Sequence, residues 1–65
     1  MKIKYFADTD TLYIEFRRVA VVESRDLDEN TILDLDAKGE ICGLTVEHAK
    51  VRAGLPQCSF EQIGA

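Results

Sequence analysis

The chain is short of most of the residues that carry recognisable chemistry: in 65 positions it has no tryptophan, one histidine, one proline and two cysteines. A four-ligand zinc site cannot be assembled from strong ligands in one chain, because Cys42 and Cys58 lie sixteen positions apart and only His48 could join them. Both thiols are expected to be structural, in a reducing compartment, where a disulfide is disfavoured. No apolar run approaches the roughly 18 residues that span a bilayer, and the opening Met1-Lys2-Ile3-Lys4-Tyr5 turns polar too soon for a signal peptide. A cytoplasmic location away from membranes is therefore expected. Positive charge is scarce too: eight Lys and Arg against twelve Asp and Glu give a net charge of −4. That balance opposes the counterion-driven attraction to phosphate, so nucleic acid is not an expected partner.

What the chain does have is alternation. Leu12, Ile14 and Phe16 alternate with Thr11, Tyr13, Glu15 and Arg17, which places the first set on one face of a strand. Lys2–Phe6 and Thr11–Arg17 flank Ala7-Asp8-Thr9-Asp10 and predict a hairpin. A second hairpin is predicted around Asp28-Glu29-Asn30, joining the segment 19–27 to Thr31–Asp36. Leu33 and Leu35 then face inward while Asp34 and Asp36 face out, and Ile32 conflicts with that face. Asp36-Ala37-Lys38-Gly39 places glycine where a short hairpin loop needs a left-handed residue. In the next strand Ile41 is out of phase with Leu44 and Val46, a conflict that a bulge at Gly43 would relieve. His48–Ala53 reads as one or two helical turns closed by Gly54. Ser59 with Gln62 could cap a further turn, and Leu55, Cys58, Phe60 and Ile63 make a tail that should pack.

The expected fold is a small α+β domain, mostly β, spanning residues 1–65: a four- or five-stranded antiparallel meander over 1–49, with a short helix and tail over 50–65. Its expected core is Ile3, Tyr5, Leu12, Ile14, Phe16, Leu33, Leu35, Leu44 and Val46. Tyr5 and Tyr13 are expected to pack, since aromatic residues are common in strands. A core this small, with open sheet edges, points to a homodimer formed through a sheet edge or the apolar tail.

Residues 19–49 hold eight acids against Arg25 and Lys38, a local charge of −6. A solvated face explains such a run, and so does a surface for a basic partner. The partner-surface candidates are Glu23, Asp26, Asp28, Glu29, Asp34, Asp36 and Glu40. The pairs Asp8/Asp10, Asp26/Asp28 and Asp34/Asp36 would each set two carboxylates on one side of a strand about 7 Å apart, too few oxygens for a cation without further ligands. Asp34-x-Asp36-x-Lys38 begins like a calcium loop, but lysine stands where a third oxygen ligand belongs and Thr45 where the bidentate glutamate should fall. No metal or other cofactor is expected. Nucleophilic catalysis by Cys42, Cys58 or Ser59 would need His48 beside it, and one regular strand keeps Cys42 and His48 six residues apart.

The segments Met1–Tyr5, Asp10-Thr11-Leu12-Tyr13-Ile14, Thr31–Asp36 and Gly39–Val46 together resemble a family of small bacterial proteins classed as a domain of unknown function, over about residues 1–50. The chain departs from that pattern at Phe6, where Asp is common, and after Lys50. The resemblance brings no catalytic residues. Similar proteins are sometimes encoded beside small toxin-like proteins, which implies, by association, an antitoxin or partner-binding role. The functional expectation is thus a non-enzymatic protein–protein interaction module whose acidic segment 23–40 meets a basic partner. Its alternative is a small enzyme or metal-dependent binder with a site around Asp34, Asp36 and His48 shared across a dimer.

Overall fold

A computed structural model describes residues 1–64. Five strands form one antiparallel sheet: β1 (Lys2–Phe6), β2 (Thr11–Glu15), β3 (Glu23–Asp28), β4 (Thr31–Leu35) and β5 (Ile41–Glu47), followed by a single helix, α1 (Ala49–Ala53). The mostly-β α+β class and the three hairpins are as the alternation and turn residues require. The strand order is not the expected meander. It runs β1-β2-β5-β4-β3, so β5 inserts beside β2 and the link 16–22 carries the chain across one end of the sheet to the far edge. Strands β3, β4, β5 and β2 thereby make a Greek key. Two backbone bonds pin the link: Phe16 N–H donates to Cys42 O at 2.9 Å, and Val22 N–H to Leu35 O at 2.9 Å.

The turns follow from their side chains. In the β3–β4 turn the Asp28 carboxylate accepts the Asn30 N–H at 2.8 Å, with an irregular register at Leu27. Between β4 and β5 the Asp36 carboxylate accepts the N–H groups of Lys38 and Glu40 at 2.9 and 3.0 Å, and Gly39 sits at φ 77°. The phase conflict at Ile41 is resolved by a bulge, as expected, but the extra residue is Cys42, one position earlier than Gly43. Asp34 pairs with Gly43 and Leu35 with Ile41, which leaves Cys42 without an opposite number on β4.

Register assigns the faces. Leu12 and Ile14 on β2 stand opposite Tyr5 and Ile3 on one side and Val46 and Leu44 on the other, and Val46 and Leu44 stand opposite Thr31 and Leu33. These residues, with Phe16, Leu35 and Ile41, make one apolar face. Lys2, Lys4, Phe6, Tyr13, Glu15, Thr45, Asp34 and Asp26 belong to the other. Ile32, opposite Thr45, stays half-buried on this second face.

The apolar face is only partly covered. Helix α1 lies over its lower end, where Leu12 and Ala49 are buried, and Leu35 is buried at the upper end, where the link bonds its backbone. Tyr5, Ile14, Leu33, Leu44 and Val46 are half-buried. Ile3 and Phe16, expected in the core, are 51 % and 39 % exposed, because β1 is an edge strand and, among the described residues, no helix or strand packs a second layer over them. The tail does not supply that layer. Gly54 closes α1 as expected, with φ 75° and its N–H on Lys50 O, but no turn forms at Ser59–Gln62. Ser59 and Phe60 lie beside Met1 and Ile3, and Phe60 and Ile63 remain exposed.

Candidate functional site

The seven carboxylates of the segment 23–40 are the natural place to look for a site, and the fold separates them into two kinds. Four are held by internal partners. Glu23 forms an ion pair with Arg25 at 2.6 Å. Asp28 bonds the Asn30 amide and lies 3.3 Å from Arg52. Asp34, on the polar face, accepts the Ser24 hydroxyl at 2.7 Å and the Tyr13 hydroxyl at 3.0 Å. Asp36, with a side chain 10 % exposed, binds Arg17 at 2.7 Å besides its two turn amides.

The remaining three are different. Glu40 lies 3.8 Å from Arg17 on the surface, while Asp26 and Glu29 are exposed and have no side-chain partner among the described residues. Glu23, Asp26, Asp28 and Glu29 line β3 and its turn at one edge of the sheet. Asp36 and Glu40 lie at the end of the sheet where the link 16–22 crosses.

The same contacts move the acidities. The Arg17 guanidinium, the Glu40 and Lys38 amides hold the Asp36 carboxyl below its ordinary range, against a smaller opposing effect of burial. The Asn30 amide is the chief cause of the lowering at Asp28, and Arg25 of the lowering at Glu23. Tyr13 is raised, first by burial and then by its bond to Asp34.

Two structural clusters were not foreseen from the sequence. Asp10, at φ 53°, joins the first hairpin to α1: its carboxylate accepts the Tyr5 hydroxyl at 2.6 Å and the Lys50 N–H at 3.0 Å, and its carbonyl accepts the Ala49 N–H at 3.0 Å. It thereby takes over the capping that His48, itself left-handed at φ 55°, does not supply. Tyr5 holds the Asp10 carboxyl down, and Asp10 in turn raises Tyr5. Arg52 clamps the other side of the helix, donating to Asn30 O and the Thr31 hydroxyl at 2.7 Å each and to Glu47 O at 3.3 Å. The tyrosines were expected only to pack; each in fact also donates to a carboxylate.

Asp34, Asp36 and His48 do not converge within the chain. Asp34 is paired with Gly43 and His48 follows β5 five residues later, about 17 Å away at strand rise. Asp36 lies at the opposite end of the sheet from His48. Among the described residues no three His, Cys, Asp or Glu side chains are placed to hold a metal ion. Cys42 is buried with its thiol 3.5 Å from Asp34 O, and Cys58 is exposed on the tail. Among the described residues no helix is long and apolar enough to cross a membrane.

Residues 2–50 match the family model described as protein of unknown function (DUF2283), and the chain belongs to that family. No match was found among curated proteins or among solved structures.

Proposed function

Starting from membership of a family with no described activity, we propose that the chain is a non-enzymatic protein–protein interaction module. Its acidic edge receives a basic segment of another protein. The observation that carries this reading is β3 itself: an edge strand exposed at all six residues, with Asp26 and Glu29 free of side-chain partners among the described residues. An edge strand offers unpaired backbone groups on its outer side, so an extended segment can add to the sheet there. Lys or Arg side chains of that segment would meet the unneutralised carboxylates. Charge complementarity of this kind sets partner choice and encounter rate more than affinity. By the family resemblance, the specific form of the proposal is an antitoxin-like role with a small basic toxin-like partner.

The alternative, a small enzyme or metal-dependent binder, has less in its favour. Asp34 and Asp36 are already committed to Tyr13, Ser24 and Arg17, and a second copy would have to bring His48 across to them.

The test is co-purification of partners from the native host with the full chain as bait, at low and high salt. A basic protein retained at low salt, released at high salt and lost with the double substitution Asp26→Lys and Glu29→Lys is the expected result. Capture that is indifferent both to salt and to those substitutions would overturn the charge mechanism.

A further inference from the structure

Beyond the end covered by α1, the described residues give the apolar face no second layer, and its size points to what supplies one. Single sheets are hydrophobic on one face and bury it against another element. Here the only helix among the described residues has five residues and covers one end. A folded chain of 7.3 kDa exposes about 4,200 Å². This one exposes 5144 Å². Its radius of gyration is 12.8 Å, against about 11 Å for a compact chain of this length. The molecule is a plate, 38 × 33 × 18 Å. The surplus surface, on the order of 900 Å², compares with the roughly 800 Å² that each partner buries in a standard interface.

We infer that a second copy of this chain closes the apolar face, packing sheet on sheet around a two-fold axis. The uncovered part is formed by Ile3, Phe16 and Ile41, exposed at 51 %, 39 % and 47 %, around the half-buried Ile14, Leu33 and Leu44. Phe60 and Met1 extend it at the β1 edge, 83 % and 76 % exposed.

Charge selects the occupant. Among the described residues, the centre of this patch is the apolar row Ile3, Ile14, Leu44 and Leu33 across four strands. At its β3 margin Glu23 and Arg25 neutralise each other at 2.6 Å. A neutral, apolar surface is self-complementary: facing its own copy brings no like charges together. The opposite face is unsuited to self-association, because it carries Lys2, Lys4, Glu15, Glu47, Asp26 and Asp34. This arrangement differs from the dimer through a sheet edge or the apolar tail expected from sequence, leaves the acidic β3 edge open, and does not depend on the basic-partner reading.

The test is the molar mass of the full chain by light scattering and sedimentation in reducing buffer, from about 1 to 100 μM, with two substitutions of matched exposure. Ile3→Lys places a charge on the apolar face, at a position whose own fold leaves it half in solvent. Phe6→Lys does the same on the opposite face, where Phe6 is 48 % exposed. The wild-type chain is expected at twice the 7.3 kDa of one copy. Because the axis presents each substitution twice, Ile3→Lys should weaken the dimer by roughly 100-fold while retaining its far-ultraviolet circular dichroism. Phe6→Lys should change it by less than about threefold. Asp26→Lys should leave the mass unchanged, so that loss of a basic partner and loss of the dimer remain separate results. A wild-type monomer throughout that range would overturn the inference, as would a dimer that survives Ile3→Lys or dissociates equally with Phe6→Lys.

Discussion

Gly43→Ala is the smallest change that should disturb the sheet. Tyr13 on β2 reaches over β5 to donate to Asp34 on β4, and the residue it passes over is Gly43. A Cβ there would lie 2.5 Å from the Tyr13 hydroxyl oxygen and 3.1 Å from both Tyr13 Cζ and Asp34 Oδ2. The ring must lift, and the Tyr13–Asp34 bond goes with it. A hydrogen bond to a charged acceptor is worth about 1.5–3 kcal/mol, nearer 1 where both groups are half in solvent, and displacing the ring adds about 1 more. Against this, replacing glycine restricts the unfolded chain and returns about 0.4–1 kcal/mol. The net expectation is a loss of roughly 1–2 kcal/mol, or a fall in Tm of about 5–15 °C for a chain of this size. Urea unfolding at one fixed protein concentration measures it, since the self-association proposed above would make stability concentration-dependent. Tyr13→Phe removes the same bond and the closest contact, so the double variant should cost about 1 kcal/mol less than the sum of the singles. A Gly43→Ala protein as stable as wild type, or singles that add within about 0.3 kcal/mol, would refute this account of the glycine.

Arg52→Ala should cost about 1–2 kcal/mol, because it removes the guanidinium's bonds to the buried Thr31 hydroxyl and to Asn30 O and frees α1 from the β3–β4 turn. Lys in its place should restore only part of this, since an ammonium cannot reach both Asn30 O and the Thr31 hydroxyl in the guanidinium's fork; full rescue by Lys would argue against the clamp. Acid should weaken the fold through Asp36, Asp10, Asp28 and Glu23. Their folded-state pKa values are lowered, so the stability they contribute is present above the ordinary carboxylate range and is lost as pH falls through their lowered values. Asp36→Asn should therefore flatten the acid limb of a stability-against-pH curve below about pH 4, and an unchanged limb would remove Asp36 from the set.

The spacing of residues two apart made the faces legible, and the side chains of Asp28 and Asp36 with the left-handed backbone of Gly39 made two turns legible, because both signals act over a few residues. What joins distant segments was not legible in this way. Asp10 caps a helix forty positions away, and its sequence neighbourhood reads as an ordinary turn. Ile3 and Phe16 fall in phase with the core, yet periodicity says only which face a residue takes and nothing of whether a second layer covers it. The same limit applies to the carboxylates: a run of acids has one sign whether its members are free, as Asp26 and Glu29 are, or tied to Arg17 and Tyr13, as Asp36 and Asp34 are.

The strand order, by contrast, left a trace in composition. A meander would place β3 in the middle of the sheet, between β2 and β4. A central strand hydrogen-bonds on both sides and shares the buried face, so it needs apolar residues at every second position. Glu23-Ser24-Arg25-Asp26-Leu27-Asp28 has one apolar residue in six, and that one falls at the irregularity. Such a strand is stable only at an edge, where charges also discourage indiscriminate pairing. With β3 excluded from the centre, the gap beside β2 is left for a strand with Leu44 and Val46 in phase to meet Ile14 and Leu12, and β5 is the one that has them. Placing β3 at the edge thus does two things at once: it keeps the acids out of the middle of the apolar face, with Glu23 paired to Arg25 at its margin, and it sets Asp26 along the border where the proposed basic segment would pair.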